Sequence, residues 1–314
     1  MKFYILTSNN YPKLKRHFDE QWSNLQPEDS VVVINTVDLE HTKRVKSFCE
    51  SKGIEYHITE SDGTPSTGKN SVLDIFLASD NDYCVLIDGD DVLTPHGVWF
   101  YKNLSTLDNP PDALLLMNQK GIRFVGDDTY VSHPFTVNYD QVLSFDYVSY
   151  YKDKHLLSEE TAELYQDLQC RYFGQSKKYH QGREAHSRVT WISKKAAQFR
   201  FDNEVIVGED TLNMFELKHQ AKIGNLDVRI TDEHPATYLY EQTHEGISLS
   251  VNQGGSNYDW MQKYLEKLDE MEQSGKLHQG FMLPGLYVHY PEDYDLSDYG
   301  ITEVILRELN ENRN

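Results

Sequence analysis

The chain predicts an α/β fold, a mainly parallel sheet with helices on both faces, on three observations. Apolar runs of strand length recur through the first hundred residues. Segments of helical period lie between them, and residues that cap or break helices stand at the joins.

"KFYILT" (residues 2–7) is the first buried strand. Pro12 then opens a helix in which Leu14, Phe18, Trp22 and Leu25 recur at close to helical spacing. "VVVIN" (31–35) is the second strand, and Asp38 caps a helix carrying Val45, Phe48 and Cys49 on one face, with Gly53 as its stop. "EYHIT" is a third strand, residues 70–79 a third helix, and "YCVLI" a fourth strand. A helix follows Pro95, "DALLLMN" is a further strand, and "GIRFVGDDTYVSHPFTVNY" reads as a hairpin turning at Gly126-Asp127-Asp128. Residues 139–188 turn polar and aromatic, which predicts a partly helical insertion. "RVTWIS" and "TYLY" resume strand character around a helix starting near Thr211. Trp260, Tyr264, Leu265 and Leu268 mark an amphipathic helix in a C-terminal helical extension, residues 251–314, beyond a main domain of residues 1–250.

Composition narrows the function. Fifty acidic residues against thirty basic ones give a formal charge of −20, which disfavours general attraction to nucleic acid or anionic membranes. Cys49, Cys84 and Cys170 are too few and too scattered for a disulfide framework or a zinc site, so a reducing compartment is expected. The apolar start is shorter than a signal-peptide core, and no run reaches the roughly 18 apolar residues of a membrane span. A cytoplasmic protein is the expectation.

Three stretches carry chemistry. "GTPSTGKN" (63–70) is one residue short of a Walker A loop, with Asn70 where the metal-binding hydroxyl would stand. "ESD" also separates it from its strand, so a P-loop kinase or NTPase is the weaker alternative. "LIDGDDVLTP" places Asp88, Asp90 and Asp91 at the carboxyl end of a strand, where open α/β sheets bind ligands. Clustered carboxylates suit a hard divalent ion such as Mn²⁺ or Mg²⁺ that can bridge to a diphosphate; an acidic turn capping the next helix is the other reading. Farther on, Glu209 and Asp210 sit together at an expected helix start, either as an ordinary cap or as a carboxylate pair for general-base work.

In this order the motifs resemble glycosyltransferase family 2 of the GT-A fold, over about residues 2–250. "DGDD" matches the D-x-D motif that holds a metal and a nucleotide-diphosphosugar, and "GTPSTGKN" is similar to the G-x-x-x-A-R-N pattern. "FDNEVIVGED" resembles the segment that supplies the catalytic base, and "YLYEQTHEGISLS" the segment whose histidine approaches the diphosphate or the metal, with Glu241 in place of the usual arginine. The resemblance implies a Rossmann-like sheet and a donor site formed by Thr7, Asp38, Gly68, Lys69, Asn70 and Asp88. Asp38 there replaces the usual acidic turn. It implies metal ligands Asp90, Asp91 and His244, and Asp210 as base with Glu209 beside it. The implied reaction is sugar transfer, hexosyl or pentosyl, from a nucleoside diphosphate, UDP foremost, to an acceptor hydroxyl, with inversion. A non-catalytic nucleotide-sugar-binding protein is a further alternative. Arg171, Lys177, Lys178, Arg183 and Arg188 gather in 171–188 with Tyr172, Phe173 and Tyr179 among them. They read either as a solvated loop or as a patch for an anionic acceptor, a phosphorylated glycan or DNA carrying a hydroxylated base.

Overall fold

The computed structural model describes residues 1–20, 23–116, 120–125, 128–134, 139–153, 158–179, 188–206, 208–231, 238–241 and 257–286. His244, Trp22, Arg183 and the first two residues of the expected hairpin turn lie outside them.

The strands are β1 (Lys2–Thr7), β2 (Ser30–Asn35), β3 (Glu55–Thr59), β4 (Tyr83–Asp88), β5 (Val92–Leu93), β6 (Ala113–Leu116), β7 (Lys120–Val125), β8 (Asp128–Pro134), β9 (Arg188–Ser193), β10 (Val228–Thr231) and β11 (Tyr238–Glu241). The helices are α1 (Tyr11–Arg16), α2 (Leu39–Lys52), α3 (Pro65–Ala78), α4 (Pro95–Leu104), α5 (Tyr139–Leu143), α6 (Tyr147–Asp153), α7 (Glu159–Tyr179), α8 (Glu209–Lys222) and α9 (Asn257–Gln273). Seven strands form one sheet in the order β10-β6-β9-β4-β1-β2-β3. All its pairings are parallel except those of β9, which is antiparallel to both β4 and β6. A smaller sheet, β5-β11-β7-β8, contains the expected hairpin as the antiparallel pair β7 and β8.

Alternation along the strands divides the core into two layers. Phe3, Ile5, Val32, Ile34, Val85 and Ile87 pack against Leu14 of α1, Val45 and Phe48 of α2 and Phe100 of α4. On the other face Tyr4, Val31, Val33 and Leu86 pack against Val72 and Phe76 of α3, Phe215 of α8 and Tyr264 and Leu265 of α9. Burial of each such side chain stabilises the fold by about 1.5–3 kcal/mol. The α/β sheet with flanking helices is the one that the sequence predicts. Asp38 accepts from the backbone N–H groups of Glu40 and His41 at the start of α2, and Gly53 ends it at φ 69°.

Two helices differ from their sequence patterns. The first ends at Arg16 and does not run on to Leu25. Leu25 donates its N–H to the carbonyl of His17 at 2.8 Å and Asn24 takes φ 49°, so Leu25 reaches the core through a loop. The third helix starts at Pro65, five residues before Asn70, with Thr64 as its N-cap. Gly68 is inside that helix, on the side that lies against the sheet. A Cβ there would stand 3.0 Å from Leu6 Cδ2 and 3.2 Å from Asn35 Oδ1. The P-loop alternative fails on this geometry: residues 65–70 are helical and cannot wrap their N–H groups around a phosphate.

Candidate active site

The chain leaves β1 toward β2 and β3 on one side and returns to β4 on the other, so β1 and β4 border a topological switch point. Asp88, the last residue of β4, pairs across from Leu6. The Gly89 N–H donates to the Leu6 carbonyl at 2.7 Å, and a Cβ on residue 89 would meet that oxygen at 2.6 Å. Glycine is required by this close approach. The turn exposes Asp90 and buries Asp91, which is 2% exposed.

The antiparallel direction of β9 brings its first residue, Arg188, to the edge where β4 ends. Its guanidinium donates from Nη1 to Asp91 Oδ2 at 2.6 Å and from Nη2 to the Asp88 carboxylate. The sequence pattern had grouped Arg188 with an acceptor patch; the fold sets it among the acids instead.

The second acidic motif arrives on α8. Gly208 holds φ 86° just before that helix, and Glu209 and Asp210 occupy its first turn, where the helix dipole favours negative charge. Lys69, on α3 and 3% exposed, donates to Glu209 Oε1 at 2.8 Å and to Asp210 Oδ1 at 2.6 Å. Asp210 Oδ2 lies 3.9 Å from Arg188 Nη2. Two carboxylate motifs far apart in the sequence thus meet over two cations.

The electrostatics follow from this packing. Burial opposes the charge of Asp88, but Arg188 and then Lys69 outweigh it and hold its pKa below the usual range. Desolvation, followed by repulsion from Asp88, pushes Asp90 up; its rim meets solvent, yet much of its surroundings is protein. Burial opposes the charge of Lys69, and the attraction of Asp210, Glu209 and Asp88 overrides it, raising its pKa. Desolvation raises that of Glu209 despite Lys69.

Other expected donor residues have structural partners. Thr7 Oγ1, at the end of β1, lies 3.1 Å from Nε2 of the buried His41. His41 was missed in the sequence, although a polar residue one turn before Val45 on the buried face of α2 marks it. Asn70 donates to the Phe201 carbonyl and to Asn203 Oδ1 and accepts from the Phe201 N–H, so it fastens the segment leading to α8. Asp38 is an exposed helix cap.

Among the described residues no three His, Cys, Asp or Glu side chains are placed to hold a metal ion together. Mg²⁺-like ions commonly bind through one or two carboxylates plus substrate phosphates, and the exposed Asp90 fits that mode. Asp91, expected beside it as a ligand, is turned inward onto Arg188. The five-residue basic patch is also largely paired: Arg171 with Asp269, Lys177 with Asp140 and Lys178 with Glu272. Among the described residues no helix is long and apolar enough to cross a membrane.

Fold and site define an α/β protein with a carboxylate-rich centre at the switch point of its sheet. No protein-family model and no curated protein matches the sequence. Among solved structures the chain is similar to S. aureus TarS (TM-score 0.44, 14% identity), over 77% of this chain and 37% of that one. TarS 1–349 in complex with UDP-GlcNAc gives TM-score 0.44 and 13% identity, over 77% of this chain and 59% of that one. The mannosyltransferase PcManGT from Pyrobaculum calidifontis, in complex with GDP-Man and Mn²⁺, gives TM-score 0.42 and 10% identity, over 87% and 75%. The chain spans less than two thirds of the length of these TarS chains.

Proposed function

We propose that the chain is a GT-A-type glycosyltransferase that moves a sugar from a nucleoside diphosphate, UDP foremost, to an acceptor hydroxyl. The observation that carries this reading is the meeting of Asp88–Asp91 with Glu209–Asp210 at the switch point of the sheet. A Mn²⁺ or Mg²⁺ ion held by Asp90 and the donor phosphates would neutralise charge on the departing diphosphate. Asp210 Oδ2 takes the proton of the acceptor hydroxyl, whose oxygen bonds to the anomeric carbon. The bond from that carbon to the diphosphate oxygen breaks, and the diphosphate leaves with the electron pair. Attack opposite the leaving group inverts the anomeric centre. Because Arg171, Lys177 and Lys178 are paired with acids, a glycan acceptor is favoured over DNA.

Calorimetry with UDP and GDP, each with Mn²⁺ and with EDTA, tests the donor site. Nucleotide release from UDP-glucose, UDP-N-acetylglucosamine and GDP-mannose tests turnover. Metal-dependent UDP binding that collapses in Asp90→Ala is expected. Binding that is equal in EDTA removes the metal role, and binding without any turnover points to a non-catalytic nucleotide-sugar-binding protein.

A further inference from the structure

We propose that Lys69 is the positioning residue of the base, fixing the Asp210 carboxylate through one oxygen and leaving the other for the acceptor proton. This inference rests on the glycosyltransferase reading for its purpose, though not for its test. Lys69 reaches the pair from the middle of α3, and its ammonium is enclosed between Glu209 Oε1 at 2.8 Å and Asp210 Oδ1 at 2.6 Å. Both carboxylates begin α8 directly after the left-handed Gly208, so their backbone is fixed as well.

The ammonium sets direction as well as charge. With Oδ1 held by Lys69 at 2.6 Å, Oδ2 faces Arg188, 3.9 Å from its Nη2. Among the described residues, the charged groups recorded around the pair are Lys69 from α3, Arg188 from β9 and Asp88 from β4. Adjacent carboxylates in a desolvated place tend to share a proton, and a shared proton would disable the base. Lys69 opposes that sharing. A buried ion pair adds little to stability when a hydrophobic residue of similar volume can replace it, so energetics alone give Lys69 no strong reason to be there.

The test needs no donor or acceptor. The protein is labelled with ¹³C at the Asp and Glu carboxyl carbons, and the titration of the Glu209–Asp210 pair is followed by NMR, with Glu209→Gln and Asp210→Asn assigning the signals. In Lys69→Met the upper titration step of the pair should rise by about 1–3 pH units relative to wild type. In Lys69→Met/Glu209→Gln the Asp210 carboxyl signal should move from its position in Glu209→Gln alone, because Oδ1 has lost the ammonium that holds it. Lys69→Arg should hold the pair near its wild-type titration. An unchanged titration in Lys69→Met overturns the proposal. If Lys69→Met does not fold, the proposal stands or falls on Lys69→Met/Glu209→Gln: there, an Asp210 carboxyl chemical shift unchanged from that of Glu209→Gln alone overturns it. Failure of the glycosyltransferase reading appears elsewhere, as loss of nucleotide-sugar turnover in wild type while the titrations stay as expected.

Discussion

Replacing Gly208 by alanine perturbs the site through its backbone. At φ 86° an alanine is strained by about 1–2 kcal/mol, the cost of the left-handed region for a residue with a Cβ. The new Cβ would stand 2.4 Å from Cδ2 and 2.6 Å from Cε2 of Tyr264, well inside contact distance. Tyr264 is 1% exposed and has nowhere to retreat, so overpacking adds about 1–3 kcal/mol. The total, about 2–5 kcal/mol, is a large part of the ~5–15 kcal/mol that a folded domain has in hand. Urea denaturation of four proteins reads it: wild type, Gly208→Ala, Tyr264→Ala and the double variant. In the Tyr264→Ala background the clash is absent, and Gly208→Ala should cost only the backbone share of about 1–2 kcal/mol. A cost that is equal in both backgrounds would refute the steric argument. A cost below about 0.5 kcal/mol in wild type would refute the requirement for the left-handed conformation as well.

Arg188→Gln leaves the buried Asp91 carboxylate without its guanidinium and should destabilise the fold by about 3–5 kcal/mol in urea. Lysine should rescue it only in part, because an ammonium lacks the planar fork that spans two carboxylates. The pKa of Asp88 is held down in the folded state, so its contribution is full above the ordinary Asp range and is lost as pH falls through the folded value; Arg188→Gln should flatten that acid slope. His17 is fully buried and, through desolvation first and the charge of Arg16 second, has its pKa lowered from 6.5 to about 4. The unfolded chain takes up that proton more readily. Stability should therefore be complete above pH 6.5 and fall as the pH drops toward 4, by about 3 kcal/mol, with His17→Gln removing the slope.

The sheet was legible because its signals are local. The continuous apolar runs of "KFYILT" and "SVVVIN", which make strands that are largely buried throughout, the cap at Asp38 and the stop at Gly53 each act within a few residues. The short strands Val92–Leu93 and Val228–Thr231 were not legible, since so few residues make no period and their pairing comes from Tyr238–Glu241 and from β6. Leu25 fitted a helical spacing by coincidence, its place in the core being set by a backbone bond to His17.

Within the site, the acidic stretches 88–91 and 209–210 declare themselves in the sequence, because carboxylates at a strand end and at a helix start are positioned by their own backbone. What they face does not. Lys69 looked like a phosphate ligand beside Gly68 and Asn70, yet the helix that begins at Pro65 carries Lys69 to Glu209 and Asp210, and Asn70 to Phe201. Arg188 looked like one cation in a basic patch, and only the antiparallel course of β9 delivers it to Asp88 and Asp91. The sequence by itself determined the longer strands, the caps and the acidic motifs, all products of short-range sterics and hydrogen bonding. Which cation neutralises which carboxylate was decided by the tertiary structure, because Coulomb attraction in a desolvated interior depends on distances that only the packed sheet and helices set.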